Sequence, residues 1–372
     1  MCDGLPWGWS PLPPVELADG RKIGDGQPVF VVAEVGQNHN GDAYTALRII
    51  KAAHDGGADA VKLTKRHVPD DLCRDAYHAV YDGADSFGPT YGKHREALEL
   101  STAEYRHLKD RMRYNEWPET LFATACDRQS VDDLEAAIGP PLYKIASRDL
   151  DNLPLLDYVA RLGKPIILST GMAEPGELED ALATVRRHHD RVIVLYCTSL
   201  YPTPEAVVRL RSLEEIRRRH HVLVGFSDHT RGIHLAQAAV CLGACVIEKH
   251  LTLARAMPGT DHAASLEPSA FQRLVQGIRS TETALGPCRW PPPAPAESRR
   301  KLGRSIVAAR DIRPGEVIAE ADLALKSPGT GLRWRDRFSL VGRRARRFVA
   351  ADTLLEPSDV LEAEEAPVLR SA

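Results

Sequence analysis

The sequence lacks several features that would assign it to whole classes of protein. No run of about 18 apolar residues, the length that a membrane-spanning helix needs, occurs in its 372 residues. The N-terminus has neither the basic start nor the apolar run of a signal peptide, which predicts a cytoplasmic location. Lys and Arg number 48 against 51 Asp and Glu, so the basic excess of a dedicated nucleic-acid-binding protein is missing. We therefore expect neither a membrane nor a nucleic-acid partner.

Cysteine is sparse and unpaired in pattern. There are seven Cys, with no CxxC motif. Four of them, Cys126, Cys197, Cys241 and Cys245, stand in apolar surroundings, which predicts buried, reduced thiols. The one dense basic run, RRARR at 343–347, is typical of a solvated face on a small domain.

Repeated strand and helix patterns fill most of the chain. Residues 1–27 are rich in Gly, Pro and Asp, and predict an irregular arm with a short hairpin around ELADGRKIGDGQP. Continuous apolar runs, typical of parallel strands buried on both faces, then alternate with amphipathic segments such as ALRIIKAAHDGG. Eight such runs lie at 28–35, 58–63, 120–126, 142–147, 165–170, 192–197, 222–228 and 244–250. The pattern predicts an α/β fold, a (β/α)8 TIM barrel over 28–288.

A second, smaller domain follows the barrel. RWPPPAPAESRR begins at residue 289 and predicts a stiff Pro-rich linker over 289–302. The remainder, 303–372, contains SIVAARDIRPGEVIAEADL and LVGRRARRFVAADTLLEPSDV, which predict β-strands with tight turns. A β-rich domain of about 65 residues buries little core by itself, so we expect it to dock on another surface.

Polar residues stand at the C-terminal end of every predicted barrel strand, where barrel enzymes place their chemistry. In strand order they are Glu34; Lys62, Thr64 and Lys65; Thr124, Cys126 and Asp127; Lys144 and Ser147; Ser169 and Thr170; Thr198, Ser199 and Tyr201; Ser227, Asp228 and His229; Glu248, Lys249 and His250. We expect these groups to share one rim.

The residue types on this rim indicate addition to a carbonyl. His229 and His250, with Glu34 and Asp261 available, suit a divalent transition ion, which polarises a carbonyl oxygen. Lys62 and Lys144 either bind an anion such as phosphate or carboxylate, or pair with acidic residues across the barrel. The Ser and Thr hydroxyls either donate to the same anion or satisfy backbone groups.

Long motifs in a fixed order carry a family resemblance. AEVGQNHNGD (33–42), GADAVKL (57–63), YKIAS (143–147) and GKPIILSTGM (163–172) are followed by YCTSLYPTP (196–204), GFSDHT (225–230), EKHLTL (248–253) and GTDHAASLEP (259–268). The set resembles the sialic acid (N-acetylneuraminate) synthase family. The tail from SIVAARDIRPGE to KSPGTGL is similar to that family's antifreeze-like (SAF) domain.

The resemblance implies condensation of phosphoenolpyruvate with an open-chain aldose, typically N-acetylmannosamine, to give a nonulosonic 2-keto-3-deoxy acid and phosphate. It implies a divalent metal on His229 and His250, manganese before magnesium or cobalt, and Glu34 as the proton handler. It assigns the donor to Lys62, Thr124, Lys144, Ser147, Ser169 and Ser227. It assigns the sugar to Thr64, Ser199, Tyr201, Glu248, Asp261 and the position of Ser327. It also implies a homodimer in which each SAF domain caps the partner's barrel.

The chain departs from the family pattern in three places. Ser327 stands where synthases of N-acetylmannosamine carry an Arg, Lys65 and Arg66 add charge after the second strand, and Asp149 replaces a usual Glu. All three touch the acceptor side, so we expect an acceptor other than simple N-acetylmannosamine. A modified hexose, a 2,4-diamino sugar and a sugar with an extra anionic group all fit.

Three other functions remain open at this stage. A related synthase using arabinose 5-phosphate or erythrose 4-phosphate shares the donor chemistry, but the antifreeze-like tail speaks against it. A metal-dependent barrel hydrolase would not need Lys62 and Lys144 together. A non-catalytic sugar-binding protein predicts loss of a core residue, yet Glu34, both lysines and both histidines are present.

Overall fold

The computed structural model describes residues 8–286, 293 and 295–361. The chain divides into two compact units, residues 1–288 and 289–372. Residues 1–7 of the predicted arm, residues 287–292 and 294 in and before the Pro-rich stretch, and residues 362–372 of the predicted second domain lie outside the described residues. No helix in the described part is long and apolar enough to cross a membrane.

Eight parallel strands form a closed barrel in the first unit, as the apolar runs predicted. A two-strand hairpin, β1 (Val15–Glu16) and β2 (Lys22–Ile23), precedes them. The barrel strands are β3 Phe30–Gly36, β4 Ala60–Lys65, β5 Thr120–Ala125, β6 Tyr143–Ile145, β7 Ile166–Ser169, β8 Val192–Tyr196, β9 Leu223–Asp228 and β10 Val246–His250. They pair in chain order, and β10 closes the ring on β3.

Helices connect the strands and cover the outside of the barrel. They are α1 Ala43–Asp55, α2 Val68–Asp71, α3 Arg74–His78, α4 Tyr91–Ala97, α5 Thr102–Tyr114, α6 Arg128–Ala137, α7 Leu153–Arg161, α8 Glu177–Arg186, α9 Ser212–His220, α10 His234–Cys241 and α11 Pro268–Leu285. Local sequence sets their starts: the Asp42 side chain accepts from the backbone of Thr45 at the start of α1, and Ser101 and Glu104 form a capping box on α5. Four helices, α2 to α5, lie between β4 and β5, in the longest interruption of the repeat.

The inside of the barrel is apolar at one end and polar at the other. Successive strand residues point in opposite directions, and the inward residues near the strand starts, such as Val32, Phe122 and Ile193, form one buried cluster. Val15 and Ile23 of the N-terminal hairpin belong to the same cluster. The hairpin therefore closes the N-terminal end of the barrel, and only the C-terminal end is left for a cavity.

The second unit is a small domain with its own core. Helix α12 (Ala296–Leu302) occupies the latter half of the segment predicted as a linker, and β11 (Ser305–Ala308) pairs antiparallel with β12 (Leu323–Lys326). The predicted second strand region forms isolated bridges, such as Ile312 with Val349. Its core is Ile306, Ala308, Ile312, Ile318, Leu323, Leu340, Ala345, Val349, Leu355 and Val360. In the basic run, Arg344, Arg346 and Arg347 are exposed, as a solvated face requires.

The cysteine prediction holds for three of the four residues. Cys126, Cys197 and Cys245 are buried free thiols. Cys241 is exposed, so the prediction of burial was wrong there. Cys241 is the last residue of α10, and its apolar sequence neighbours Ala239 and Val240 take the buried positions of that helix.

Candidate active site

A cavity of about 360 Å³ opens at the C-terminal end of the barrel. Residues on or just after all eight barrel strands line it. Every site residue predicted from the sequence within the first unit is among them: Glu34, Lys62, Thr64, Thr124, Lys144, Ser147, Ser169, Ser199, Tyr201, Ser227, His229, Glu248, His250 and Asp261. Ser327 is not, since it lies in the second unit, before the cis bond to Pro328.

The parallel register brings the charged residues side by side. Glu34 is paired with Lys62 on one neighbouring strand and with His250 on the other. Thr124 is paired with Lys144. Because side chains at paired positions lie on the same face of a sheet, these groups point together into the barrel, above the apolar cluster.

Glu34, Lys62, Lys144 and Glu248 form a charge quartet on the cavity floor. Lys62 Nζ lies 2.5 Å from Glu34 Oε2 and 3.7 Å from Glu248 Oε2, and donates to Thr124 Oγ1 at 2.8 Å. Lys144 Nζ lies 3.7 Å from Glu248 Oε1, beyond hydrogen-bond range. The pairing of lysines with acids across the barrel, one of the two sequence interpretations, is thus present, but Lys144 keeps its donors free for a ligand.

Burial and mutual charge move the pKa values of the quartet in different directions. Burial, reinforced by the Glu248 carboxylate, raises the pKa of Glu34 to about 8, against the opposing effect of Lys62. Burial alone would raise the pKa of Glu248, but Lys144 and Lys62 overcome it and lower the pKa to about 2. Burial lowers the pKa of Lys144. With Glu34 protonated, Lys62 and Lys144 face a single carboxylate, that of Glu248.

His229 and His250 form a histidine pair on the other side of Glu34, with ring centroids 5.5 Å apart. The Nδ1–H of His229 donates to the carbonyl of Thr198 at 2.9 Å, which leaves its Nε2 with a free lone pair. His250 has a buried Nδ1 without a hydrogen-bond partner. Burial lowers the pKa of both rings, that of His229 to about 4, so both are neutral at pH 7.

Gly36 shows how tightly the groups converge at this point. It follows a register shift at the end of β3 and has φ of +52°. A Cβ there would lie 2.9 Å from Glu34 Oε1 and 3.6 Å from both Asp261 Oδ2 and His250 Cε1. The backbone therefore needs glycine for its left-handed conformation and for room beside three site residues.

The histidine pair fits a metal with open coordination positions. Neutral imidazoles with free lone pairs are ligands for divalent transition ions. In residues 8–286, 293 and 295–361, no group of three or more His, Cys, Asp or Glu forms a metal site. His229 and His250 would supply two nitrogen ligands to such an ion, whose presence stays a prediction.

Hydroxyl groups complete the wall on the side of β6 to β8. Ser147 Oγ accepts from the backbone of Gly171 at 2.9 Å, and a Cβ on Gly171 would collide with Ser199 Oγ at 2.4 Å. Ser169 Oγ is buried without a partner, and a buried hydroxyl without a partner is unfavourable unless a ligand or water completes it. Ser227 Oγ donates to Glu248 Oε1 at 2.8 Å.

Six residues that the sequence placed on the rim do not line the cavity: Lys65, Asp127, Thr170, Thr198, Asp228 and Lys249. Asp228 and Lys249 show the reason most clearly. Lys249 Nζ lies 2.8 Å from Asp228 Oδ2, and both side chains are completely buried. Their neighbours Ser227 and Glu248 face inward, and strand alternation sends the next residue outward. The expectation of a shared rim was wrong for these six residues.

Three arginines line the cavity although none was predicted as a site residue from the sequence, and one was noted only as a departure from the family pattern. They are Arg66, Arg95 and Arg148. Arg66 follows β4 and Arg148 follows β6, so the strand-end rule could have found both. Arg95 lies on α4, about thirty residues from the nearest strand end, and no pattern in the sequence indicates its place.

Comparisons with known proteins agree on one group of relatives. The model of the NeuB family matches residues 49–289, and the SAF domain model matches residues 303–361. The chain is 36% identical over 347 residues to N-acetylneuraminate-9-phosphate synthase of Homo sapiens, covering 92% of this chain and 96% of the relative. It is 35% identical over 331 residues to N,N'-diacetyllegionaminic acid synthase of Campylobacter jejuni, covering 88% and 98%.

A solved structure is similar along most of the chain. The crystal structure of N-acetylneuraminic acid (sialic acid) synthetase from Leptospira borgpetersenii, in complex with citrate, aligns with a TM-score of 0.66 and 31% identity. The alignment covers 77% of this chain and 93% of that one.

Proposed function

Since the chain belongs to the NeuB family and ends in a SAF domain, we propose that it condenses phosphoenolpyruvate with an open-chain aldose, giving a nonulosonic 2-keto-3-deoxy acid and phosphate. The observation that carries the proposal is the convergence of the charge quartet and the histidine pair on Glu34 in one cavity. The synthases of N-acetylneuraminate 9-phosphate and N,N'-diacetyllegionaminic acid among its relatives support this class of product.

Lys62 and Lys144 hold the donor in this proposal. Phosphoenolpyruvate carries a phosphate and a carboxylate, and the floor offers two buried ammonium groups with Thr124, Ser147, Ser169 and Ser227 around them. The raised pKa of Glu34 removes a negative charge from the floor before the donor arrives, which favours an anion.

Glu34 handles the proton. It lies between Lys62 and His250 in the register, which is the boundary between the donor side and the aldehyde side. C3 of the donor attacks the aldehyde carbon, water adds at C2, and phosphate leaves with cleavage of the C–O bond. A carboxyl group with a pKa of about 8 can donate a proton to the new alkoxide near pH 7 and can then accept one from water.

His229 and His250 hold the metal, manganese before magnesium or cobalt. When bound, the ion polarises the aldehyde oxygen as a Lewis acid. The protein's own contribution is to keep both rings neutral and to orient His229 through its bond to Thr198.

The acceptor half keeps Thr64, Ser199, Tyr201 and Asp261 on the cavity wall, with Glu248 on the floor below them. Because Arg66 also lines the cavity and Ser327 replaces an expected Arg, we propose an acceptor other than simple N-acetylmannosamine. The same donor chemistry with a phosphorylated or unusual sugar of secondary metabolism is the alternative. The homodimer with exchanged SAF domains and the cytoplasmic location stay predictions.

Phosphate release from phosphoenolpyruvate, measured with Mn²⁺ and a panel of aldoses, tests the proposal. We expect release only when donor and aldose are both present, and loss of release on chelation. His229→Ala and His250→Ala should abolish turnover, while His234→Ala, an exposed histidine five positions beyond His229, should keep it. Activity in both metal-site variants would refute the metal assignment.

The same assay separates the other functions. A barrel hydrolase would release its product without an aldose. A non-catalytic sugar-binding protein would release none with any aldose. Full turnover with N-acetylmannosamine and none with modified sugars would contradict the proposed acceptor class while leaving the reaction intact.

A further inference from the structure

Three arginines form a basic surface on one side of the cavity mouth. We call Arg66, Arg95 and Arg148 the arginine wall. Arg66 stands four positions after Lys62 on the same strand connection, and Arg148 stands four positions after Lys144. Both arginines therefore lie further toward the cavity mouth than the lysines of the floor.

One side of the arginine wall faces the histidine pair across the barrel. Arg66 follows β4 and Arg148 follows β6, with β5 between them, whereas His229 and His250 end β9 and β10. In a closed ring of eight strands, β5 stands opposite β9 and β6 stands opposite β10, so Arg148 lies across the mouth from the histidine pair. Arg66 follows β4, which stands opposite β8 and two strands from β10. An extended ligand that starts at the histidine pair and crosses the mouth meets these arginines.

Arg66 is buried without adequate partners. Its side chain is 4% exposed, and its Nε lies 3.6 Å from both Asp71 Oδ2 and Glu99 Oε1, too far for good hydrogen bonds. Its Nε and Nη1 have no hydrogen-bond partner. Buried guanidinium donors left in this condition are costly, so their geometry indicates a ligand that completes them.

Arg148 shares the same acid at a similar distance. Its Nη2 lies 3.5 Å from Asp71 Oδ1, and its Nε lies 3.4 Å from Asp149 Oδ2. Asp71 thus stands between two guanidinium groups and holds them close together without satisfying either. Two forked cations side by side match the planar oxygens of phosphate or carboxylate.

Arg95 adds a third guanidinium that is held rigidly. Its Nη1 donates to Gln37 Oε1 at 2.8 Å, and its carbon Cζ lies 4.7 Å from the centre of the Tyr91 ring. Its Nε, like Gln37 Nε2, is buried without a partner. The buried donors without partners on this side of the cavity thus come from Gln37 after β3, Arg66 after β4 and Arg95 on α4.

We propose that the arginine wall binds an anionic substituent, phosphate or carboxylate, on the end of the acceptor remote from its aldehyde. This inference rests on the proposed function. The donor's two anionic groups are matched by Lys62 and Lys144 on the floor, and the aldehyde faces the histidine pair. The arginine wall, nearer the mouth and with Arg148 on the opposite side, is left for the far end of the sugar, so Arg66 and Arg148 determine acceptor specificity.

Steady-state kinetics with matched aldoses tests this assignment. A neutral hexose, its 6-phosphate and the corresponding hexuronic acid are compared for the native protein, Arg66→Gln and Arg148→Gln. Arg128→Gln is the control, because Arg128 follows β5 at the same end of the barrel but stacks on Tyr158, with its Cζ 4.2 Å from the ring centre. The 6-phosphate and the uronic acid distinguish phosphate from carboxylate.

We expect the native protein to prefer an anionic aldose over the neutral one by at least about tenfold. Each wall variant should lose roughly 10- to 100-fold in kcat/KM for that aldose, as expected for lost charge-assisted hydrogen bonds, and keep its kcat/KM for the neutral one. Equal activity on neutral and anionic aldoses, or equal losses on both, would overturn the proposal. A rise confined to the KM of phosphoenolpyruvate would assign the arginines to the donor and overturn it as well.

A binding measurement keeps the two proposals separable. Hexitol 6-phosphate and the neutral hexitol have no aldehyde and cannot react, so their calorimetric affinities do not depend on turnover. Hexitol 6-phosphate, titrated in the presence of phosphoenolpyruvate and Mn²⁺, should bind more tightly than the neutral hexitol and lose that advantage in Arg148→Gln. The Arg148 side chain is 34% exposed and therefore tolerates replacement better than that of Arg66. If no aldose releases phosphate yet this difference appears, the proposed function fails and the anion site stands. If turnover is normal and the difference is absent, only the anion site fails.

Discussion

The charge quartet makes a quantitative prediction for Glu248→Gln. Glu34 Oε2 and Glu248 Oε2 lie 2.5 Å and 3.7 Å from the same Lys62 nitrogen. The two carboxylate oxygens are therefore within about 6 Å of each other, where unit charges repel by about 3 kcal/mol at an effective dielectric constant of about 20. One pKa unit corresponds to about 1.4 kcal/mol. Removing the Glu248 charge should lower the pKa of Glu34 by about 2 units, from about 8 toward 6.

The attraction of Lys62 opposes the raised pKa of Glu34 in both proteins. Lys62 lies 2.5 Å from Glu34 Oε2, and this attraction favours ionised Glu34 with or without Glu248. The lost repulsion from Glu248 is therefore the effect that changes. Stabilisation of the protonated form by Glu248 is therefore the property that this variant removes.

The assay is a ¹³C NMR titration of side-chain carboxyls in metal-free protein labelled at glutamate Cδ. The Glu34 resonance is identified by its absence in Glu34→Gln. We expect a midpoint near 8 in the native protein and well below it in Glu248→Gln, with Glu99→Gln as a control that removes a buried carboxylate outside the quartet. A midpoint that stays at its native value or rises in Glu248→Gln would refute the account of the quartet.

Three further predictions concern stability and backbone geometry. Lys249→Met leaves Asp228 buried and unpaired, so the free energy of unfolding, measured in urea, should fall by roughly 3–5 kcal/mol. Lys51→Met, in the exposed pair with Asp55, should cost less than about 1 kcal/mol. Equal losses in the two variants would contradict the burial argument. Burial lowers the pKa of His39 to about 4, whereas this side chain binds a proton near 6.5 in the unfolded chain, so the free energy of unfolding falls as pH drops from 6.5 to 4. His39→Gln should remove about 2 kcal/mol of the loss between pH 7.5 and 5, and the control His107→Gln, at an exposed histidine, should remove none. An unchanged pH dependence in His39→Gln would contradict this prediction. Gly36→Ala and Gly139→Ala both place alanine at a φ near +50°, so both should lose about 1 kcal/mol of stability. Only Gly36→Ala crowds Glu34, and only this variant should lose at least tenfold in kcat. Equal kcat values in the two variants would show that the crowding is relieved.

The barrel could be predicted because its parallel strands are buried on both faces. Runs such as PIIL and VIVLY are continuously apolar rather than alternating. Several of the helices, such as α1, α7 and α10, are followed by a glycine before the next strand. The cavity residues followed from the same reasoning, because the C-terminal ends of parallel strands meet at one end of a barrel. The positions of Glu34, Lys62 and His250 at strand ends therefore predict that these residues share one cavity.

What the sequence did not reveal depends on alternation and on long-range contact. Asp228 and Lys249 look like cavity residues by position, yet they alternate with Ser227 and Glu248 and pair outside the barrel. Strict counting of every second residue would have separated them. Arg95 reaches the cavity from α4, and its place depends on how four helices fold between two strands, which no local pattern encodes.

The most direct test of the central claim is a ³¹P NMR measurement with phosphoenolpyruvate labelled with ¹⁸O at the bridging oxygen, incubated with the protein, Mn²⁺ and an aldose. We predict that inorganic phosphate appears only when the aldose is present and that its signal carries the isotope shift of retained ¹⁸O, because the C–O bond breaks. Phosphate that forms without the aldose, or that lacks the label, would contradict the condensation proposed for this cavity.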